Sequence, residues 1–151
     1  MNMLINNFSE GLKFAAVFTV LLFAQPSFAE GNAVENLDFA QVTFVRVLQQ
    51  GDGSWTLHVT VRHKDDGWDH YADLWQVLDP VSGAVIAKRV LAHPHVGEQP
   101  FTRSLANVVV PEASRSIEVQ AKCNVHGFGG KQVLVDFNLR SGQDFEVILK
   151  E

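Results

Sequence analysis

The stretch SWTLHVTVRH, Ser54–His63, alternates apolar and polar side chains with a period of two. Trp55, Leu57, Val59 and Val61 face one way and Thr56, His58, Thr60 and Arg62 the other, with His63 ending the run on the inner side. A strand with one buried face requires this pattern, and a helix cannot use it. SIEVQAKC repeats it with Ile117, Val119 and Ala121, and KQVLVDF with Val133, Val135 and Phe137. Less regular β-type runs cover Gln41–Leu48, Ala72–Asp79, Ala84–Leu91, Thr102–Val110 and Gln143–Leu149. No window carries a 3.6-residue repeat, so no helices are available for parallel crossovers. The expected class is therefore all-β, a single-domain antiparallel sandwich of about seven to eight strands.

The connections sort into two kinds. Gln49-Gln50-Gly51-Asp52-Gly53, Asp79-Pro80-Val81-Ser82-Gly83 and Pro111-Glu112-Ala113 are ordinary turn sequences, in which Pro fixes φ and Gly accepts positive φ. HKDDGWDHY, AHPHVGEQPF and NVHGFGG are longer and chemically unusual. Successive connections of an antiparallel sandwich alternate between its ends, which places the three turns at one end and the three unusual loops at the other. The strand pattern resembles the immunoglobulin and fibronectin type III architectures, with Trp75 where such sandwiches often bury a tryptophan. It departs from antibody domains in lacking a cysteine pair and a tyrosine in SRSIEVQAKC. GWDHYAD, HPHVGEQPFTRS and HGFGGK together resemble small exported bacterial proteins, a likeness that implies no particular activity.

Ahead of the strands, Lys13 precedes the apolar run Phe14–Ala24, and Ser27-Phe28-Ala29 follows. A basic residue, a short apolar core and small residues before the cut make residues 1–29 a signal peptide. The run is too short for the roughly 20 apolar residues of a spanning helix, so no membrane span is expected after cleavage. The expected organisation is a flexible lead-in over 30–40 and one sandwich over 41–151, in a periplasmic or secreted protein. No lipobox cysteine follows the apolar run, because Cys123 is the only cysteine. It cannot form an intramolecular disulfide. The formal charge is −5, unchanged by loss of Glu10 and Lys13, and the basic residues are scattered. That balance disfavours nucleic acid as a partner.

Five of the six histidines, His63, His70, His93, His95 and His126, lie in or beside the unusual loops. Only His58 stands on a polar strand face. Loop ends on a rigid scaffold are where binding residues collect. His93-Pro94-His95 can present two imidazoles to one ion, with a third from His70 or His126, and such donors suit zinc, copper or nickel. Trp68, Asp69, Tyr71, Glu98 and Phe128 join the same end as candidate ligand-binding residues. Each has a plainer role open to it. His93 and His95 can hydrogen-bond loop backbone with Pro94 stiffening the turn, and the aromatic residues can cap the core.

Cys123-Asn124-Val125-His126 is similar to the ligand loop of some blue-copper proteins, whose sites add a second histidine and a weak axial methionine. The two methionines, Met1 and Met3, lie in the leader, so the mature chain offers no such ligand. Cys123 also shares the inward parity of Ile117, Val119 and Ala121, as a buried small hydrophobe would. The glycines of HGFGGK lack P-loop spacing, and no nucleophile elbow or HExxH is present. The expected function is an exported, non-enzymatic binding module with zinc or copper at the loop end. The alternatives are a metal-free interaction or structural sandwich recognising an exported protein, and a glycan-binding module that stacks sugars on Trp68 and Tyr71.

Overall fold

The computed structural model describes residues 35–150, so the leader and the start of the lead-in lie outside the described residues. Nine strands form two sheets, and no helix occurs among the described residues. The strands are β1 (Gln41–Gln49), β2 (Trp55–Arg62), β3 (Ala72–Leu78), β4 (Val85–Val90) and β5 (Phe101–Val108), then β6 (Ser116–Cys123), β7 (Gly127–Phe128), β8 (Val133–Asp136) and β9 (Phe145–Ile148). One sheet runs β5–β2–β1–β9. The other runs β4–β3–β6, with β7 and β8 both paired to β6. No helix among the described residues is long and apolar enough to cross a membrane.

The expected sandwich is present, with one departure from antiparallel pairing. β9 runs parallel to β1, matching Val45 with Phe145 and Val47 with Val147. After β8 the chain leaves the second sheet and returns along the free edge of the first, which covers an otherwise unpaired strand. The expected run KQVLVDF also narrows to Val133–Asp136, and the glycine-rich segment before it contributes the two-residue β7.

The inward faces are the ones the alternation predicts. Leu57, Val59 and Val61 of β2 are fully buried, and so are Ile117 and Val119 of β6. Trp75 is fully buried in β3, between β4 and β6. Each such side chain contributes about 1.5–3 kcal/mol by leaving water. The indole N–H of Trp75 finds no partner among the described residues.

The turns at one end hold themselves with side-chain caps. Asp52 accepts hydrogen bonds from the Ser54 amide and hydroxyl, and Asp79 from Val81, Ser82 and Ser114. At the other end the three long loops meet. The Asn124 side chain bonds the Trp68 and Asp69 carbonyls and the Tyr71 amide, and Asp65 accepts from the His95 amide. Residues 35–40, the described part of the expected lead-in, are held at this same end: Lys64 N donates to the Leu37 carbonyl, and Ala40 is fully buried.

Candidate metal site at the loop end

The inward parity of two strands brings the site together. In β2 the series Leu57, Val59, Val61 continues one step past the strand to His63, which is 1% exposed. In β6 the series Ile117, Val119, Ala121 ends at Cys123, which is fully buried. One strand belongs to each sheet, so an imidazole and a thiol close the same end of the core from opposite sides.

His70 arrives from the turn that follows. Gly67 has a φ of 131°, a value that favours glycine, and its carbonyl accepts from the His70 amide. The His70 ring stands edge-on to His63 at 4.7 Å and to His126 at 4.9 Å. Ligand atoms of His63, His70 and Cys123 all lie within 4.8 Å of one another. His70 Nε2 is buried without a hydrogen-bond partner among the described residues, while Nδ1 is 4.0 Å from Asp66. His126 stands on the solvent side. Its amide donates to Cys123 Sγ at 3.1 Å, and its Nδ1 is 3.6 Å from the same sulfur.

Asp65 organises these groups. Its Oδ1 accepts from His63 Nδ1 at 2.6 Å and from the Ala72 amide at 3.0 Å, and its Oδ2 accepts from the His95 amide at 2.7 Å. Burial pushes the Asp65 carboxyl up, but the hydrogen bonds from His63, His95 and Ala72 together outweigh it and hold the group below the ordinary carboxylate range. A carboxylate only accepts, so the proton between it and His63 sits on Nδ1, and Nε2 is the nitrogen turned toward the cluster. Carboxylate–histidine pairs of this kind orient metal-ligating imidazoles.

Of the histidines singled out by sequence, His70 and His126 lie in this cluster and His93 and His95 do not. His93 is exposed, and its Nδ1 is 3.1 Å from the Pro94 carbonyl. His95 is buried, stacked on Phe101 at 3.8 Å and 12°, with neither ring nitrogen hydrogen-bonded among the described residues. Burial, and after it the charges of Arg103 and His93, push the His95 imidazole below its ordinary pKa. Its route to the cluster is the backbone N–H on Asp65. The two rings do lie close together, 4.6 Å apart, as a His-x-His segment allows.

The other candidates are dispersed around the rim. Trp68 is 65% exposed and edge-on to Tyr71 at 5.7 Å. Asp69 is exposed, Glu98 pairs with Arg103 at 3.1 Å, and Phe128 lies on β7 opposite Lys122. A groove of about 650 Å³ lies at the opposite end, between the β3–β4 turn and the β5–β6 connection, and none of the cluster residues lines it.

Sequence reasoning left His63, Asp65 and Asn124 out of the candidate site, and it weighed Cys123 with His126 as a ligand loop but set it aside as a buried small hydrophobe. The available signal was parity. A histidine and a cysteine each continue an inward-facing series to the same end of two strands, so they must approach one another.

No known family model matches the chain. A "Putative lipoprotein" of Halomicrobium mukohataei is 36% identical over 110 residues, covering 72% of this chain and 53% of that protein. The chain thus spans about half the length of the curated relative it matches. A superoxide reductase (1Fe-SOR) from Giardia intestinalis aligns in structure at a TM-score of 0.40 and 14% identity, over 64% of this chain and 98% of that one. A likeness at that level assigns neither fold nor function.

Proposed function

We propose that the chain is an exported, non-enzymatic module that holds one transition-metal ion at its loop end. The ligands are His63 through Nε2, His70 and the Cys123 sulfur, with His126 beside them. The observation that carries this reading is the buried, unpartnered Nε2 of His70 in a group of three ligating residues whose donor atoms lie within 4.8 Å. An orphaned buried nitrogen costs about 1–3 kcal/mol, and an ion would remove that cost. Imidazole and thiolate donors favour zinc, copper, iron or nickel over magnesium or calcium. Asp65 fits an orienting role for His63.

Export is supported by the leader at residues 1–29 and by the relative's description as a lipoprotein. On this reading the chain works in the periplasm or outside the cell. The absence of enzymatic activity rests on the sequence, which offers no marked nucleophile. Among the described residues Ser104 Oγ does meet His58 Nδ1 at 2.6 Å, but on an exposed strand face far from the cluster.

Elemental analysis of untagged protein, followed by zinc and cobalt titration, tests the proposal. One ion per chain is expected, lost in His70→Ala and Cys123→Ser and retained in His58→Ala. No ion in the wild type, or equal binding by all variants, would overturn it. A second reading, recognition of an exported protein or a glycan without metal, is favoured by the exposure of Trp68, Val125 and Phe128. Here Trp68 and Tyr71 would stack and Asp69 would accept hydroxyls. Partner binding that survives removal of metal would select it.

A further inference from the structure

We propose that the backbone carbonyl of Asp38 is an oxygen ligand of this ion, so that metal loading clasps residues 36–40 onto the end of the sandwich. The inference rests on the metal reading above.

Three donor atoms of the cluster converge on that one oxygen. His126 Nδ1 is 3.0 Å from it, His63 Nε2 3.2 Å and Cys123 Sγ 3.4 Å. Cys123 Sγ and His126 Nδ1 are 3.6 Å apart. Ligands at bond lengths of about 2.0–2.3 Å from a common ion, set at angles between square and tetrahedral, stand roughly 2.9–3.6 Å from one another. The four separations fall within that interval. The carbonyl oxygen therefore stands at ligand-to-ligand distance from all three of these donors.

His63 donates from Nδ1 to Asp65, which turns its Nε2 toward the Asp38 carbonyl oxygen at 3.2 Å. A shared cation would join the nitrogen, the sulfur and the oxygen at this point. Backbone oxygen is a known weak ligand beside imidazole and thiolate, and here it stands where the mature chain lacks a methionine.

The carbonyl is also fixed in place by groups that are not ligands. Gln41 Nε2 donates to the Asn36 and Phe39 carbonyls at 2.8 and 2.9 Å, and Asn36 Oδ1 accepts from the Asp38 amide at 3.0 Å. The Phe39 ring lies 5.6 Å from that of His126. Gly129 and Gly130 let the chain before β8 close over this segment. A Cβ at Gly130 would run into the Ala40 carbonyl, and one at Gly129 into the Phe39 ring. The glycines of HGFGGK thus make room for the clasp, and a ligand held this way is preorganised.

The test uses the full chain with carbonyl-13C aspartate and 15N-phenylalanine. Only Asp38–Phe39, Asp136–Phe137 and Asp144–Phe145 then report in a carbonyl–nitrogen correlation. Cobalt(II) is added without oxygen, and the thiolate-to-cobalt absorption band reports occupancy independently of Asp38. With the band saturated, the Asp38 carbonyl should carry a through-bond contact shift while the other two carbonyls stay near their metal-free positions. Gly130→Ala, which alters no ligand, should weaken cobalt binding by about tenfold. If Gly130→Ala fails to fold, the wild-type spectrum decides alone. A saturated band with only a through-space shift at Asp38, or wild-type affinity in folded Gly130→Ala, overturns the clasp and leaves the histidine–cysteine site standing. No band at all overturns the metal reading itself.

Discussion

Asp65 Oδ1 lies 2.6 Å from His63 Nδ1, and neither side chain is exposed to solvent. The other carboxylate oxygen takes the His95 amide, so one aspartate fixes an imidazole of the cluster and anchors a second loop. Removing it leaves a buried ring nitrogen and two buried amides without their acceptor. Asp65→Ala should destabilise the fold by about 3–5 kcal/mol, the usual cost of breaking a buried pair from one side. Asp65→Asn keeps one acceptor and should cost less, while lowering metal affinity by about 10–100-fold. Denaturant melts and zinc titration of both variants check this. Wild-type affinity in folded Asp65→Asn would remove the orienting role.

Acid should expose the lowered carboxyls. Asp79 is held at about 2, chiefly by the Ser82 amide and then by the Ser114 and Ser82 hydroxyls. A carboxyl whose folded pKa is depressed contributes stability that is full above its unfolded value and is lost as pH falls through the folded one. For Asp79 that window runs from about 3.9 down to the folded value. Asp65, also lowered, acts in the same direction. Asp79→Asn should flatten the fall in melting temperature across this window, and an unchanged acid profile would contradict its lowered pKa.

His95 should act at milder pH. Its folded pKa is lowered, by burial first, so the unfolded chain binds the proton more readily. Stability is then complete above the unfolded value of about 6.5 and declines as pH falls through that value toward the folded one. His95→Gln should abolish this component of the melting profile. A pH dependence between 5 and 7 as steep as in the wild type, on the ~6.5 reference scale, would assign the component to another histidine.

Packing offers a control far from the cluster. Trp75→Ala should cost about 3–5 kcal/mol. Trp75→Phe should cost distinctly less, because it also deletes the unpartnered indole N–H. Thr60→Ala, on the outward face where the half-buried Thr60 hydroxyl meets the Thr102 hydroxyl at 2.8 Å, should change stability little. Equal melts for Trp75→Ala and Thr60→Ala would mean that the register of these strands is wrong.

Much of the architecture was legible because strand parity is a local signal. Leu57, Val59 and Val61 announce an inner face without knowledge of what they meet, and alternation of connections gathers the histidine-rich loops at one end. The parallel β1–β9 pair was not legible, since strand direction there depends on which sheet the chain rejoins. At the site, chemistry pointed to loop tips, and His70 and His126 do lie at the cluster. His63 and Cys123 carry the same parity as the core and were read as packing. The Asp38 carbonyl has no side-chain signature at all, and its position depends on two glycines about ninety residues downstream.

His63 directly follows a strand of one sheet and Cys123 ends a strand of the other. An ion bound to both is a cross-link between the layers, formed where a chain with two cysteines could have used a disulfide. Unlike a disulfide, this fastening would open with a chelator and close again on adding metal. Chelation should therefore let the sheets part first at the histidine end, with amide exchange rising at His63, Ala72 and Cys123 while the Asp52 and Asp79 turns stay protected.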